Sequence, residues 1–169
     1  MDIIGIAKGH HAGIPKASSK REWKLSDSLR EQIAGYARED AAQGVYMGNK
    51  FLALRKSEVA KVAPDRSALM GKVDMKTIRE ADERWLRILF GEPYEAKFQS
   101  GGVHVYDGNG DEILTYTVGV GWHEKESKAE TQVHGALKAA YYDAYHAARQ
   151  EINSGIAGME VQGGFDARA

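Results

Sequence analysis

The sequence predicts an α+β fold: helices first, then a small three-stranded antiparallel meander, then a long C-terminal helix packed on the sheet. Three observations carry this. Two early segments, about 27–43 and 74–90, repeat apolar residues at helical spacing. Between 95 and 117 the pattern changes to period two in EAKFQ, GVHVY and EILTYT, three short runs separated by turn residues. Behind Ser127 and Glu130, Val133, Leu137, Ala140, Tyr141, Ala144, Tyr145 and Ala148 form one long stripe.

In the first helix Ser28 and Glu31 have capping-box spacing, Leu29, Ile33, Tyr36 and Ala37 share a face, and Gly44 suits the stop. The stretch from Val45 to Lys72 is ambiguous. Phe51, Leu52, Val59 and Val62 suit a helix, while VYM and SEVAKVA suit extended chain. Pro64-Asp65 marks a break, with a short helical turn expected over 65–71. The helix over 74–90 takes Asp74 as its cap and buries Ile78, Ala81, Trp85, Ile88 and Leu89. Its outer face pairs Arg79 with Glu83, Glu80 with Arg84, and Glu83 with Arg87, each pair contributing ~0.2–0.5 kcal/mol. Gly91 and Pro93 end it. VGVGW reads as an extension of the third strand, bent at its glycines. In the last helix Ser127 and Glu130 have capping-box spacing, and the alanines allow close approach of a neighbour.

A chain of 169 residues has the length of one domain. Residues 26–152 are expected to form it. Residues 1–25 and 153–169 read as flexible tails, because glycines break every period there. Trp23 and Leu25 are placed to pin the first tail to the domain. A net charge of -1 sets up no global field toward nucleic acid or anionic membranes. The absence of cysteine removes disulfides, thiolate chemistry and cysteine-ligated zinc, and suits a cytoplasmic protein. No apolar run reaches the roughly 20 residues of a membrane span. MDIIGIAKGHHAGIPK lacks the apolar core of a secretory signal. Export without a signal leaves no trace in a sequence.

VHVYDGNGDEILTYT, residues 103–117, spaces Asp107, Asn109 and Asp111 like the start of a calcium loop. Position six of that loop needs glycine and position twelve a bidentate glutamate. Glu112 and Val118 stand there instead. A glycine-bearing hairpin turn accounts for the residues better.

Other motifs fail in the same way. There is no HExxH, G-x-S-x-G, P-loop or dinucleotide fingerprint. Of the six histidines, His10 and His11 sit in the tail, and His134 and His146 point to different sides of the last helix. A site built from His104, His123 and Glu124 is geometrically conceivable, although solvated or packed histidines are the simpler expectation. No metal and no cofactor is implied. Residues 50–72 carry six basic and two acidic residues, with Lys50, Arg55, Lys56 and Lys61 as the candidate phosphate contacts. Aromatic interleaving there is thin, and a solvated face is the simpler expectation. Tyr94, Trp122 and Tyr142 are the candidate interaction residues, aromatics being enriched at interfaces.

The function this supports is a non-catalytic, bacterial-type interaction or structural protein, binding another protein or its own copy. The alternatives are an enzyme acting on a small molecule through His104, His123 and Glu124, and a nucleic-acid binder through the 50–72 segment. No membrane partner is expected.

Overall fold

The computed structural model describes residues 22–73, 81–99 and 101–163. Helices α1 (Asp27–Gln43), α2 (Asn49–Ala60), α3 (Arg66–Met70) and α4 (Glu83–Phe90) precede strands β1 (Glu95–Gln99), β2 (Gly102–Tyr106), β3 (Glu112–Thr117) and β4 (Gly121–Glu124). Helix α5 (Lys128–Gly163) is the last element among the described residues. The class is α+β, with a sheet of four antiparallel strands in the order β1-β2-β3-β4.

The expected meander had three strands; the fourth comes from the stretch read as an extension of the third. After Thr117 the chain reverses instead of bending. Val120 N–H donates to Thr117 O at 3.0 Å. Gly119 and Gly121 take φ of +84° and +102°, which side-chain-bearing residues rarely adopt. Thr117 then pairs with Gly121, and GWHE runs back along β3.

Two apolar cores form. One lies under the sheet: Leu69 and Val73, Leu86 and Phe90 of α4, and Ala96, Val103, Val105, Leu114 and Tyr116 of the strands. The other joins α1, α2 and α5 through Ile33, Ala37, Phe51, Val133, Leu137 and Tyr141. Trp23 and Leu25 pack against this second core. Trp23 also donates its indole N–H to Glu58 Oε2 at 3.2 Å, which fastens the chain ahead of α1. Residues 1–21, and with them most of the expected first tail, lie outside the described residues.

Helix α5 meets the sheet at its first turn and is covered along its buried stripe by α1 and α2. Its start is the expected capping box: Glu130 N–H donates to Ser127 Oγ at 3.3 Å, and Ser127 N–H to Glu130 Oε2 at 2.7 Å. Lys128 N–H donates to Asp111 Oδ2 at 2.9 Å, tying that turn to the β2–β3 hairpin. Past Asn153 the helix continues through Gly155 and Gly158 to Gly163, with residues 153–156 exposed.

Two caps differ from expectation. Helix α1 is capped by Ser26, whose Oγ accepts from Leu29 N at 3.1 Å, not by Ser28. Ser26 is the residue with extended backbone, and Ser28 is already helical. In α4 the cap is Asp82, accepting from Trp85 N at 2.8 Å. Residues 74–80, with the expected cap Asp74 and with Ile78, Arg79 and Glu80, lie outside the described residues.

The apolar stripe of α4 also differs. The sheet covers Leu86 and Phe90, four apart on one face. That rotation leaves Trp85 39% and Ile88 74% exposed. Glu83 turns away from Arg87 and accepts the N–H of Phe98, at 3.2 Å, on the outer edge of β1.

Within 45–72 the regular elements are the helices α2 and α3, with irregular chain at 45–48 and 61–65. Met47, with φ of +54°, and Gly48 lead into α2, and Asp65 caps α3 by accepting from Ala68 N at 3.0 Å.

Candidate functional site

One face of the sheet is covered by α3 and α4; among the described residues no helix packs over the other, where Lys97, His104 and Thr115 are half-buried. The register sets Lys97, His104, Thr115 and His123 in one row across the four strands of this second face. Antiparallel sheets often keep one polar face of this kind.

His104 and His123 therefore share a face, with Thr115 between them. Glu124 does not join them. It pairs with Leu114, on the covered side, because successive strand residues alternate faces. The hydrogen bond to Glu130 chiefly favours the cationic form of Arg66, and the charge of Glu124 adds to this, with those of Glu130 and Glu126. The three-residue site drawn from the strand pattern is thus not assembled.

The carboxylate beside His104 is Glu112. Its Oε1 lies 2.6 Å from His104 Nδ1, and its Oε2 accepts from Lys125 Nζ at 2.8 Å. The Thr115 hydroxyl donates to the same Oε1. Strict alternation would put Glu112 on the covered face with Leu114 and Tyr116. A β-bulge prevents this: Val105 faces Leu114, Tyr106 faces Glu112, and Ile113 is the extra residue between them. Ile113 is wholly buried, and Glu112 turns to the second face.

Partial burial alone would raise the pKa of Glu112. The hydrogen bonds from Lys125, Thr115 and His104 outweigh it and hold the carboxyl at about 2. The group is ionised at neutral pH, so it accepts the proton on His104 Nδ1 and fixes the orientation of the ring.

A stability effect follows with a definite sign. The folded-state pKa lies below the unfolded one, so the contribution is present above about 4.5 and lost as pH falls toward about 2. Glu112→Gln is expected to cost about 1 kcal/mol at pH 7, the site being partly open to solvent. The difference from the native chain should vanish near pH 2. Urea midpoints measured between pH 2 and pH 7 check this; a constant difference would contradict it.

The hairpin 107–111 is a turn, as its glycines require. Asp107 Oδ1 accepts from Asn109 N and from Asp111 N, both at 2.9 Å, and Gly110 has φ of +81°. Among the described residues no group of three or more His, Asp or Glu side chains is placed to hold a metal ion.

The basic segment is partly neutralised within the chain. Lys50 pairs with Glu39 and Lys61 with Glu58, each at 2.6 Å. Arg66, from the same run, is buried against Glu130 at 2.6 Å. Lys56 is exposed and Arg55 half-buried. A shallow cleft of about 360 Å³ lies between the chain leading into α1 and the end of α2, beside Trp23, Lys24 and Gln32.

Of the aromatic candidates, Tyr94 and Trp122 pack against the sheet core, Trp122 edge-to-face with Tyr116 at 5.3 Å. Tyr142 is 51% exposed, one turn from His146. The apolar surface that sequence reasoning missed is on α4 and β1. Trp85 and Ile88 are neighbours three apart, and Phe98, 39% exposed, is drawn to the first turn of α4 by its bond to Glu83. No local signal marks it, because packing of Leu86 and Phe90 against the sheet decides which face of α4 is inward.

Compared with protein-family models, curated proteins and solved structures, the chain matches none. Among the described residues no helix is long and apolar enough to cross a membrane.

Proposed function

We propose that the chain is a non-catalytic protein-interaction module that docks through the outer face of α4. The observation that carries this is the exposure of Ile88, at 74%, beside Trp85 on the side of α4 turned away from the sheet. Single exposed apolar residues are ordinary, but neighbouring large ones suggest a contact surface. Trp and Phe are enriched in interfaces, and the exposed arginines 84 and 87 supply a polar rim.

Ile88→Glu tests the reading. The side chain is outside both cores, so stability should change by no more than about 0.5 kcal/mol. Association should fall sharply, because a carboxylate would have to be desolvated in the contact. The full chain and the variant are compared by light scattering over a concentration series and as immobilised baits. Self-association, or a captured protein, that the variant loses supports the reading. A native chain that stays monomeric and holds nothing the variant fails to hold ends it.

A further inference from the structure

We infer that Asn109, at the tip of the β2–β3 hairpin, is a site of spontaneous covalent modification, where the chain converts the side chain through a cyclic imide into aspartate and isoaspartate. The reaction needs an asparagine followed by a residue whose backbone nitrogen can reach the side-chain carbonyl carbon. Glycine is the best such neighbour, because it has no Cβ to obstruct ring closure. Of the three asparagines in the chain, only Asn109 is followed by glycine. Asn49 and Asn153 precede Lys50 and Ser154 and lie within α2 and α5, where the helix holds the backbone.

The hairpin tip supplies the rest. Asn109 and Gly110 are exposed. The Asn109 side-chain amide bonds no other described residue, so no hydrogen bond restrains its rotation toward the following nitrogen. At Gly110 a Cβ would meet nothing within 4 Å, so the ring has room to form. One contact opposes closure: Gly110 N–H donates to Asp107 O at 3.0 Å and must be released first. That bond closes a single exposed turn, and such tips open at little cost.

Hydroxide from solvent takes the Gly110 N–H proton. The nitrogen forms a bond to Asn109 Cγ, the Cγ–Nδ2 bond breaks, and ammonia leaves with a proton from water. Water then opens the imide. Cleavage between Gly110 N and Cγ leaves aspartate. Cleavage between Gly110 N and the backbone carbonyl carbon of residue 109 leaves isoaspartate, whose main chain runs through Cβ and Cγ. Either product sets a new negative charge between Asp107 and Asp111. Isoaspartate also lengthens the turn by one carbon, which shifts the Gly110 and Asp111 N–H groups away from Asp107 O and Oδ1. Asp111 Oδ2 in turn accepts Lys128 N–H at 2.9 Å, so isoaspartate loosens the tie between the hairpin and the first turn of α5.

The full-length chain is incubated at mildly alkaline pH, folded and unfolded in urea. Its fragments are then followed by mass spectrometry under electron-transfer fragmentation, which separates isoaspartate from aspartate. In the folded chain Asn109 should convert, with isoaspartate the larger product, at no less than about a tenth of the rate in urea. Asn49 and Asn153 should keep their amides. Asn109→Gln should remain unconverted, because its ring closure is six-membered and far slower. A folded chain that keeps Asn109 while the unfolded chain loses it overturns the inference, as does an Asn109 that persists in both. Conversion to aspartate without isoaspartate also overturns it, because direct hydrolysis of the amide gives that result. Amide exchange tests the consequence: Asp111 and Lys128 N–H should exchange about tenfold faster in the isoaspartate chain than in Asn109→Asp, which carries the same charge on an unaltered backbone. Equal exchange in the two overturns the loosening of the hairpin from α5.

Discussion

Arg66→Ala is expected to cost about 3–5 kcal/mol of stability, the largest effect of any single polar substitution considered for this chain. Arg66 is only 9% exposed, and its guanidinium spans four acceptors. Nε donates to Ile113 O at 3.1 Å, Nη1 to Glu130 Oε1 at 2.8 Å, and Nη2 to Glu130 Oε2 at 2.6 Å and to Lys125 O. These acceptors belong to β3, to the β4–α5 connection and to α5. Arg66 itself is on α3. The fork thus joins the sheet and its covering helices to the helical core at the one turn where α5 meets the sheet.

Removing it leaves the Glu130 carboxylate buried with only its capping bonds to Ser127. That uncompensated charge, more than the lost attraction, sets the size of the cost. Lysine cannot reproduce a planar fork, so Arg66→Lys should fall between native and alanine. The double variant Arg66→Ala with Glu130→Ala should cost clearly less than the two singles together, since each single strands the other's partner. Urea denaturation followed by tryptophan fluorescence measures the native chain and all four variants, Glu130→Ala included. Trp23 reports on the helical core and Trp85 and Trp122 on the sheet, so loss of the fork should also pull the two reports apart. A cost below about 1 kcal/mol with a single transition would contradict this account.

The same pair carries a pH dependence. Burial pushes the Glu130 carboxyl up, and the bonds from Arg66 and Ser127 more than reverse this, leaving it below its ordinary value. Its contribution is therefore complete above the unfolded carboxylate range and is lost as pH falls through the folded value.

Tyr141→Phe is expected to cost about 1–3 kcal/mol, although it removes one atom from a side chain that keeps its packing. The Tyr141 hydroxyl donates to Asp40 Oδ2 at 2.6 Å and accepts from Met47 N at 2.8 Å. The same Asp40 oxygen accepts from Gly48 N at 2.9 Å. Three hydrogen bonds thus hold the 44–48 connection in the shape that starts α2. Gly48 is required there, because a Cβ would lie 2.3 Å from Asp40 Oδ1. Phenylalanine preserves the stacking on Phe51, at 4.2 Å between ring centres, but leaves the Met47 amide without an acceptor and Asp40 short of a donor. Denaturation gives the magnitude. Amide exchange gives the location: Met47 and Gly48 should exchange faster, while amides within α5 change only with global stability. Unchanged exchange at both residues would sink the proposed role of the hydroxyl.

Helix α1, three strands and the start of α5 were legible because each depends on neighbours in sequence. β1, β2 and β3 coincide with the period-two runs, and the capping box at Ser127 is a pattern of four residues. The 103–117 stretch was legible as a turn for the same reason. The candidate site was less so. Alternation placed His104 opposite Val103 and Val105, but that His123 shares its face follows from the fourth strand, and the acid beside His104 is not Glu124. A bulge at Ile113 shifts the phase of alternation by one residue. It exists because a buried Ile113 completes the core under the sheet, which no local pattern records.

By itself, then, the sequence determined the class, the strands up to Thr117, the capping box at Ser127, the 107–111 turn, and the failure of every familiar catalytic motif. The tertiary structure alone decided four things: that VGVGW turns back into a fourth strand, that Glu112 rather than Glu124 stands beside His104, that α5 is covered by α1 and α2, and that α4 shows Trp85 and Ile88 to solvent. Each turns on which surface an element is packed against. Periodicity tells which residues share a face, but it is the partner packed against the element that decides which face is inside.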